Sequence, residues 1–167
     1  PQSLRYRFSA ITDEGDLYPE DAFTPRHNRH TRPASELAQH AEEMARTAGG
    51  GIDGIYALVE ETSDRFTYGH PDERCNDGYD EVPYLGCGMI EGSCVDINTY
   101  LIASLRAAGY EAAYLYGYFF SAEKKDWTSG MHCWAATRHN GEILEWDIAH
   151  HKREGLSPIR PVLDPKP

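Results

Sequence analysis

Apolar positions along the chain follow two periods. Leu37, Ala41, Met44 and Ala48 recur every three or four residues and stop at Gly49-Gly50-Gly51, predicting a helix with one buried stripe. Thr31 is placed to cap that helix and Pro33 to sit in its first turn. A second helix is predicted from Asp53 to Ser63, with Ile52, Ile55, Tyr56 and Val59 turned to the core. A third carries Ile97, Leu101, Leu105 and Ala108 on one face and ends before Gly109, the residue type favoured just past a helix C-terminus.

Alternation takes over elsewhere. Residues 1–10 set Leu4, Tyr6 and Phe8 against Arg5 and Arg7, the pattern of an edge strand with one buried face. Arg65-Phe66-Thr67-Tyr68 predicts a short extended segment. After Gly109, Tyr110, Tyr114, Tyr116 and Tyr118 share one face of a strand, with Leu115 and Phe119 on the other, so a strand buried on both faces is expected. The tyrosines read as packing rather than as a recognition stripe, since aromatic residues favour strands in any case. A polar loop from Ser121 to Gly130 follows.

Residues 131–138 and 142–148 then flank His139-Asn140-Gly141, and Asn-Gly is the strongest two-residue hairpin signal. With Asn140 and Gly141 as the turn, His139 faces Glu142 and Trp134 faces Asp147. His132 shares a face with Trp134, so Asp147 is its diagonal neighbour across the strands, within reach of a hydrogen bond. Glu145 shares that face but stands further along, and parity sends Cys133 to the opposite face, away from His132.

The third helix begins at a cysteine. In Gly92-Ser93-Cys94-Val95-Asp96, Ser93 is the expected N-cap and Asp96 the acidic member of a capping box. Cys94 therefore falls at the positive end of the helix dipole, among backbone N–H groups without intrahelical partners, which favours a thiolate. Asp96 opposes it, so a separate base is needed. Taken alone, Cys94 reads equally well as a buried structural cysteine.

Composition narrows the classes. At 167 residues the chain is long enough for one domain with its own core. Sixteen basic against 27 acidic residues give a net charge of −11, which repels phosphate backbones and anionic lipid surfaces. No nucleic-acid or membrane role is expected. Four cysteines are too few for a disulfide scaffold at this length. With no long apolar run and no signal-like start, a cytoplasmic location is expected, although the first residue is Pro1 and upstream residues are not excluded. The stretch from Gly69 to Gly92, rich in Gly, Pro, Asp and Asn and carrying Cys75 and Cys87, is too long for a simple turn and is read as one wall of a cleft. His27 and His30 lie in a polar region, without the acidic or thiol partners a metal requires, and are read as a rim facing substrate.

A cysteine at a helix start, followed by a histidine and an aspartate on successive strands, with Cys-x-Asp, Gly-Tyr and His-x-Trp landmarks, resembles the transglutaminase-like superfamily of papain-like cysteine enzymes. The resemblance runs from Met44 to His150. It includes the helix leading to Tyr68, then Gly92-Ser93-Cys94-Val95-Asp96, the helix ending Leu105-Arg106-Ala107-Ala108-Gly109, Gly117-Tyr118, His132-Cys133-Trp134 and Trp146-Asp147. It implies an α+β fold with the nucleophile helix packed against an antiparallel sheet, in one domain. Residues 1–43 form an extension, about 44–150 the catalytic core and 151–167 a tail. It also implies Cys94 as nucleophile, His132 as base and Asp147 as orienter of the imidazole. Ala113 stands where the family often has arginine, and Asp147 leads into Ile148-Ala149-His150-His151 where many members have proline.

The chemistry implied is attack of the Cys94 thiolate on a carboxamide or peptide carbonyl, then transfer of the thioester acyl group to water or an amine. Substrates would be peptides, proteins or small amides, with an amine as acceptor in the transfer case and no cofactor. Hydrolysis is favoured, because so small a chain offers little surface for a second protein substrate. The Cys94 backbone N–H is one oxyanion donor, and Ser93, Tyr84 and Trp134 are carried as candidate substrate or oxyanion residues. His150 and His151 either bind substrate or cap the strand. Two other readings stand beside this one: a zinc or interaction module using Cys75, Cys87, Cys94, His132 and Cys133, whose spacing lacks short Cys-x-x-Cys pairs, and an inactive scaffold of the same fold.

Overall fold

The computed structural model describes residues 18–86, 88–118 and 128–156. The edge strand expected in residues 1–10, Cys87, Phe119, most of the loop after it and most of the C-terminal tail lie outside these residues. Among the described residues, four α-helices and five strands follow a short 3-10 turn at Glu20–Phe23: α1 (Ser35–Thr47), α2 (Gly51–Arg65), β1 (Phe66–Tyr68), β2 (Ile90–Gly92), α3 (Cys94–Ala107), β3 (Glu111–Tyr118), β4 (Met131–His139), β5 (Glu142–Trp146) and α4 (Ile148–Arg153). Strands β3, β4 and β5 form an antiparallel sheet in that order, while β1 and β2 pair in parallel. The fold is α+β.

The core is built around α3. Every residue from Asp96 to Leu105 on it is buried, because α1 and α2 cover one side of the helix and β3 and β4 the other. A helix that meets neighbours all round buries its polar positions too, and Asn98, Thr99 and Ser104 are at most 2% exposed. Phe66 packs edge-on to Tyr100 at 5.8 Å and Tyr56 to Trp146 at 5.4 Å. Such pairs add about 0.5–1.5 kcal/mol beyond their buried area.

Helix α1 starts four residues after the expected cap. Thr31 instead tightens the preceding loop, accepting from the Asn28 N–H and donating to the Arg26 carbonyl, and Pro33 pairs with Val82 in an isolated bridge. Leu37, Ala41 and Ala45 are the buried stripe of α1. The core thus reaches back to Leu37, into residues assigned above to the extension. Helix α2 is a turn longer than expected because Gly51 and Ile52 at its start and Asp64 and Arg65 at its end belong to it.

The hairpin has the expected register, His139 opposite Glu142 and Ala135 opposite Trp146. Its turn residues have φ of 52° at Asn140 and 83° at Gly141, the left-handed pair that matches strand twist. Two expectations for the sheet fail. Strand β3 is not buried on both faces along its whole length: Tyr116 is 71% and Tyr118 50% exposed, since β3 outruns the layer that covers Ala112 and Ala113. Strand β5 stops at Trp146, because Asp147 turns away to cap α4, so His150 and His151 are helical.

Candidate active site

The start of α3 is locked by its own sequence. The Val95 N–H donates to Ser93 Oγ at 3.2 Å, and the Ser93 N–H donates to Asp96 Oδ2 at 2.9 Å, completing the capping box. Cys94 is the first helical residue. The carboxylate of Asp96 is 1% exposed and would oppose a neighbouring thiolate if left bare. It is compensated instead. The Cys75 N–H donates to its Oδ1 at 2.9 Å, the Ser93 hydroxyl to its Oδ2 at 2.7 Å, and Arg74 Nη1 lies 3.2 Å from Oδ2 while also donating to Ser93 Oγ. Burial resists ionisation of Asp96, yet these donors outweigh it and hold its carboxyl below the usual value. Arg74 went unrecognised in the sequence, where nothing in its spacing ties it to the helix.

Strand β4 and the start of α4 bring in the second and third groups. His132 Nε2 lies 2.6 Å from Asp147 Oδ2, and Asp147 Oδ1 accepts the His150 N–H at 3.0 Å. With Nε2 committed to the carboxylate, Nδ1 is the nitrogen left for Cys94, to which His132 is hydrogen-bonded. Burial works against a charged imidazole, but the bonds to Asp147 and Cys94 outweigh it and raise His132 to about 9. Cys94 moves the other way. A hydrogen bond from Cys133 and the His132 contact together overcome desolvation and hold the thiol well below its ordinary value. Both shifts favour a thiolate beside an imidazolium at neutral pH.

Parity along β4 sets Cys133 on the face opposite His132, yet its side chain reaches Cys94 as well. Asn98, one turn into α3, donates from Nδ2 to the Cys94 carbonyl at 2.8 Å and to the Cys133 carbonyl at 2.9 Å, and packs 3.6 Å from Cys133 Sγ. The first turn of α3 is thus laid across β4 at Cys133. The ladder to β5 begins only at Ala135, which leaves the strand edge open beside His132. Opposite faces of one strand therefore meet the same sulfur. Tyr114 of β3 is hydrogen-bonded to Cys133, and Tyr68 of β1 lies close enough that burial, and after it the charge on Cys94, raises its pKa. The sequence pattern gives Tyr114 only a packing role and Tyr68 only a place in a short extended segment.

The remaining candidates fall elsewhere. Tyr84 packs against His40 of α1, the two rings tilted with centroids 4.6 Å apart. Trp134 shares the His132 face as expected, and its Nε1 donates to the Tyr18 hydroxyl at 3.4 Å. That hydroxyl donates to Glu145, so Glu145 is engaged away from the imidazole. The His150 ring stands 6.3 Å from that of His132. His30 contacts Asn76 beside the Arg74 loop. Cys75 sits against Asp96, its Sγ 3.9 Å from the Asp96 carbonyl oxygen. Among the described residues no group of three or more His, Cys, Asp or Glu is arranged to hold a metal ion, and no helix is long and apolar enough to cross a membrane.

No curated protein and no solved structure matches the chain. The family model of the transglutaminase-like superfamily matches residues 38–146, from α1 through the end of β5 and including Cys94 and His132. With that match over more than half of its length, the chain belongs to the transglutaminase-like superfamily.

Proposed function

We propose that the chain is a cysteine-dependent amide-bond enzyme, a peptidase, amidohydrolase or acyl transferase acting through Cys94, His132 and Asp147. One observation carries the reading: a cysteine at a helix N-terminus touches a histidine whose far nitrogen is held 2.6 Å from a carboxylate. The thiolate attacks a carboxamide or peptide carbonyl, and negative charge develops on the carbonyl oxygen. The Cys94 backbone N–H, at the positive end of α3, faces that charge. Imidazolium at His132 then gives its proton to the leaving amine as the carbon–nitrogen bond breaks, leaving a thioester on Cys94. Water, deprotonated by the now neutral His132, hydrolyses the thioester, or an amine takes the acyl group. Asp147 fixes the tautomer and plane of the ring throughout. Peptides, proteins or small amides would serve as substrates, and a reducing compartment such as the cytoplasm suits a nucleophile of this kind.

The test is turnover of a panel of peptide carboxamides and peptide p-nitroanilides, with and without a primary amine, followed by ammonia or nitroaniline release and by intact mass. An acyl adduct on Cys94, with activity abolished in Cys94→Ala and His132→Ala, supports the reading. Activity unchanged in Cys94→Ala, or a Cys94 that alkylates no faster than an ordinary thiol titrating near about 8.5, overturns it.

A further inference from the structure

We infer that Cys133 is a positioning residue for the nucleophile: its buried thiol, anchored between Asn98 and Tyr114, donates its hydrogen to the Cys94 sulfur and holds it against His132. The inference rests on the reading of Cys94 as nucleophile. Cys133 is 3% exposed and Asn98 fully buried, so neither group exchanges its partners with solvent. The Asn98 amide bonds the carbonyls of both cysteines, at 2.8 and 2.9 Å, which fixes the distance between the first turn of α3 and β4, and across that gap the side chains of Cys94 and Cys133 are hydrogen-bonded. The Tyr114 hydroxyl donates to the Cys133 sulfur, and Asn98 Nδ2, whose two hydrogens go to the carbonyls, packs 3.6 Å from it. With Cys94 as the thiolate and Cys133 as the thiol, the hydrogen between the two sulfurs belongs to Cys133, and the Cys94 sulfur accepts it.

The groups facing Cys94 sort by side. His132 and Cys133 reach it from β4, Tyr114 stands behind Cys133 on β3, and Tyr68 approaches from β1. Asp147 acts through His132, while Asp96 on the helix itself is offset by Arg74. His132 supplies the positive charge at neutral pH. Cys133 supplies a neutral donor from the buried side, and a sulfur held between the two has little freedom to rotate away from the imidazole.

The experiment uses the whole chain and measures the rate of iodoacetamide alkylation at Cys94 against pH, with the label located by mass spectrometry, in wild type, Cys133→Ala and Cys133→Ser. Thermal unfolding of each variant reports whether it folds. In Cys133→Ala the reactivity midpoint of Cys94 is expected to rise by about one pH unit, a tenfold loss of thiolate below it. Cys133→Ser, with a stronger donor in the same place, keeps the midpoint at or below that of wild type. An unmoved midpoint in the alanine variant overturns the inference, as does a serine variant shifted as far as alanine, since packing alone would then explain both. If the alanine variant does not fold, the serine variant decides alone, a raised midpoint being the adverse result. A wild-type midpoint equal to that of an ordinary thiol instead overturns the assignment of Cys94 as nucleophile.

Discussion

Asp147 holds His132 and caps α4 with the same carboxylate, Oδ2 lying 2.6 Å from His132 Nε2 and Oδ1 3.0 Å from the His150 nitrogen. The orienting group is thereby fixed from two directions, by a strand on one side and by a helix start on the other. Its position depends on the chain leaving β5 at Trp146, two residues earlier than strand alternation suggests.

Asp147→Asn separates these two duties. Asparagine caps helices about as well as aspartate, so α4 and the thermal midpoint are expected to hold. An amide can keep that cap only with its oxygen on the His150 N–H, which turns its NH2 toward Nε2 and selects the wrong tautomer of His132. Turnover is expected to fall by about 10²–10⁴, and His132 is expected to lose its proton well below pH 9. Amide turnover and an NMR titration of the imidazole check both.

A second consequence concerns stability against pH. His132, raised from 6.5 to about 9, contributes stability that is complete below 6.5 and lost as the pH rises through 9. Cys94, depressed from 9.0, contributes stability that is complete above 9.0 and lost as the pH falls through its folded value. Between 6.5 and 9 the folded chain holds thiolate and imidazolium and the unfolded chain thiol and imidazole, with equal numbers of protons. The pair then adds no slope in that interval. Cys94→Ser removes the compensating thiolate, and stability is expected to fall with rising pH from 6.5, at no more than about 1.4 kcal/mol per pH unit. Urea unfolding of the two proteins at several pH values between these limits measures the difference.

The parts readable in the sequence were those set by local chemistry. Ser93 and Asp96 announce the start of α3, and Asn140-Gly141 fixes a register from which the contact between His132 and Asp147 follows. What escaped depends on packing between distant segments. Strand β2 is three residues long and exists because β1 lies beside it. Arg74 reaches Asp96 from a loop with no periodic pattern. Parity separates Cys133 from His132 along β4 but says nothing of a helix end that touches both. Tyr116 alternates as a buried residue would, and only the extent of the covering layer leaves it exposed.

Arg74 should matter more than its exposed, irregular setting suggests. Arg74→Met keeps the apolar stem but leaves Asp96 buried with its backbone and Ser93 donors alone. Because the guanidinium is partly exposed, the expected loss is at the low end for a charged hydrogen bond, about 1.5 kcal/mol. The uncompensated carboxylate also faces the first turn of α3, so the alkylation midpoint of Cys94 is expected to rise. Urea unfolding and the pH profile of alkylation report the two effects separately.

The hairpin turn affords a control at the far end of the same strands. Gly141 has a φ of 83°, a conformation in which a Cβ is strained, whereas Asn140 at 52° is a residue type that tolerates the left-handed region. Gly141→Ala is expected to destabilise by about 1 kcal/mol, and Asn140→Gly to change stability by less than about half of that. Both variants retain the β4–β5 register, because the alternation that buries Ala135 and Trp146 still selects it. Their Cys94 alkylation profiles are therefore expected to match wild type. A Gly141→Ala protein that loses stability and also shifts that profile would mean that the turn sets the approach of His132 to Asp147, a task otherwise performed by the buried pairs nearer the site.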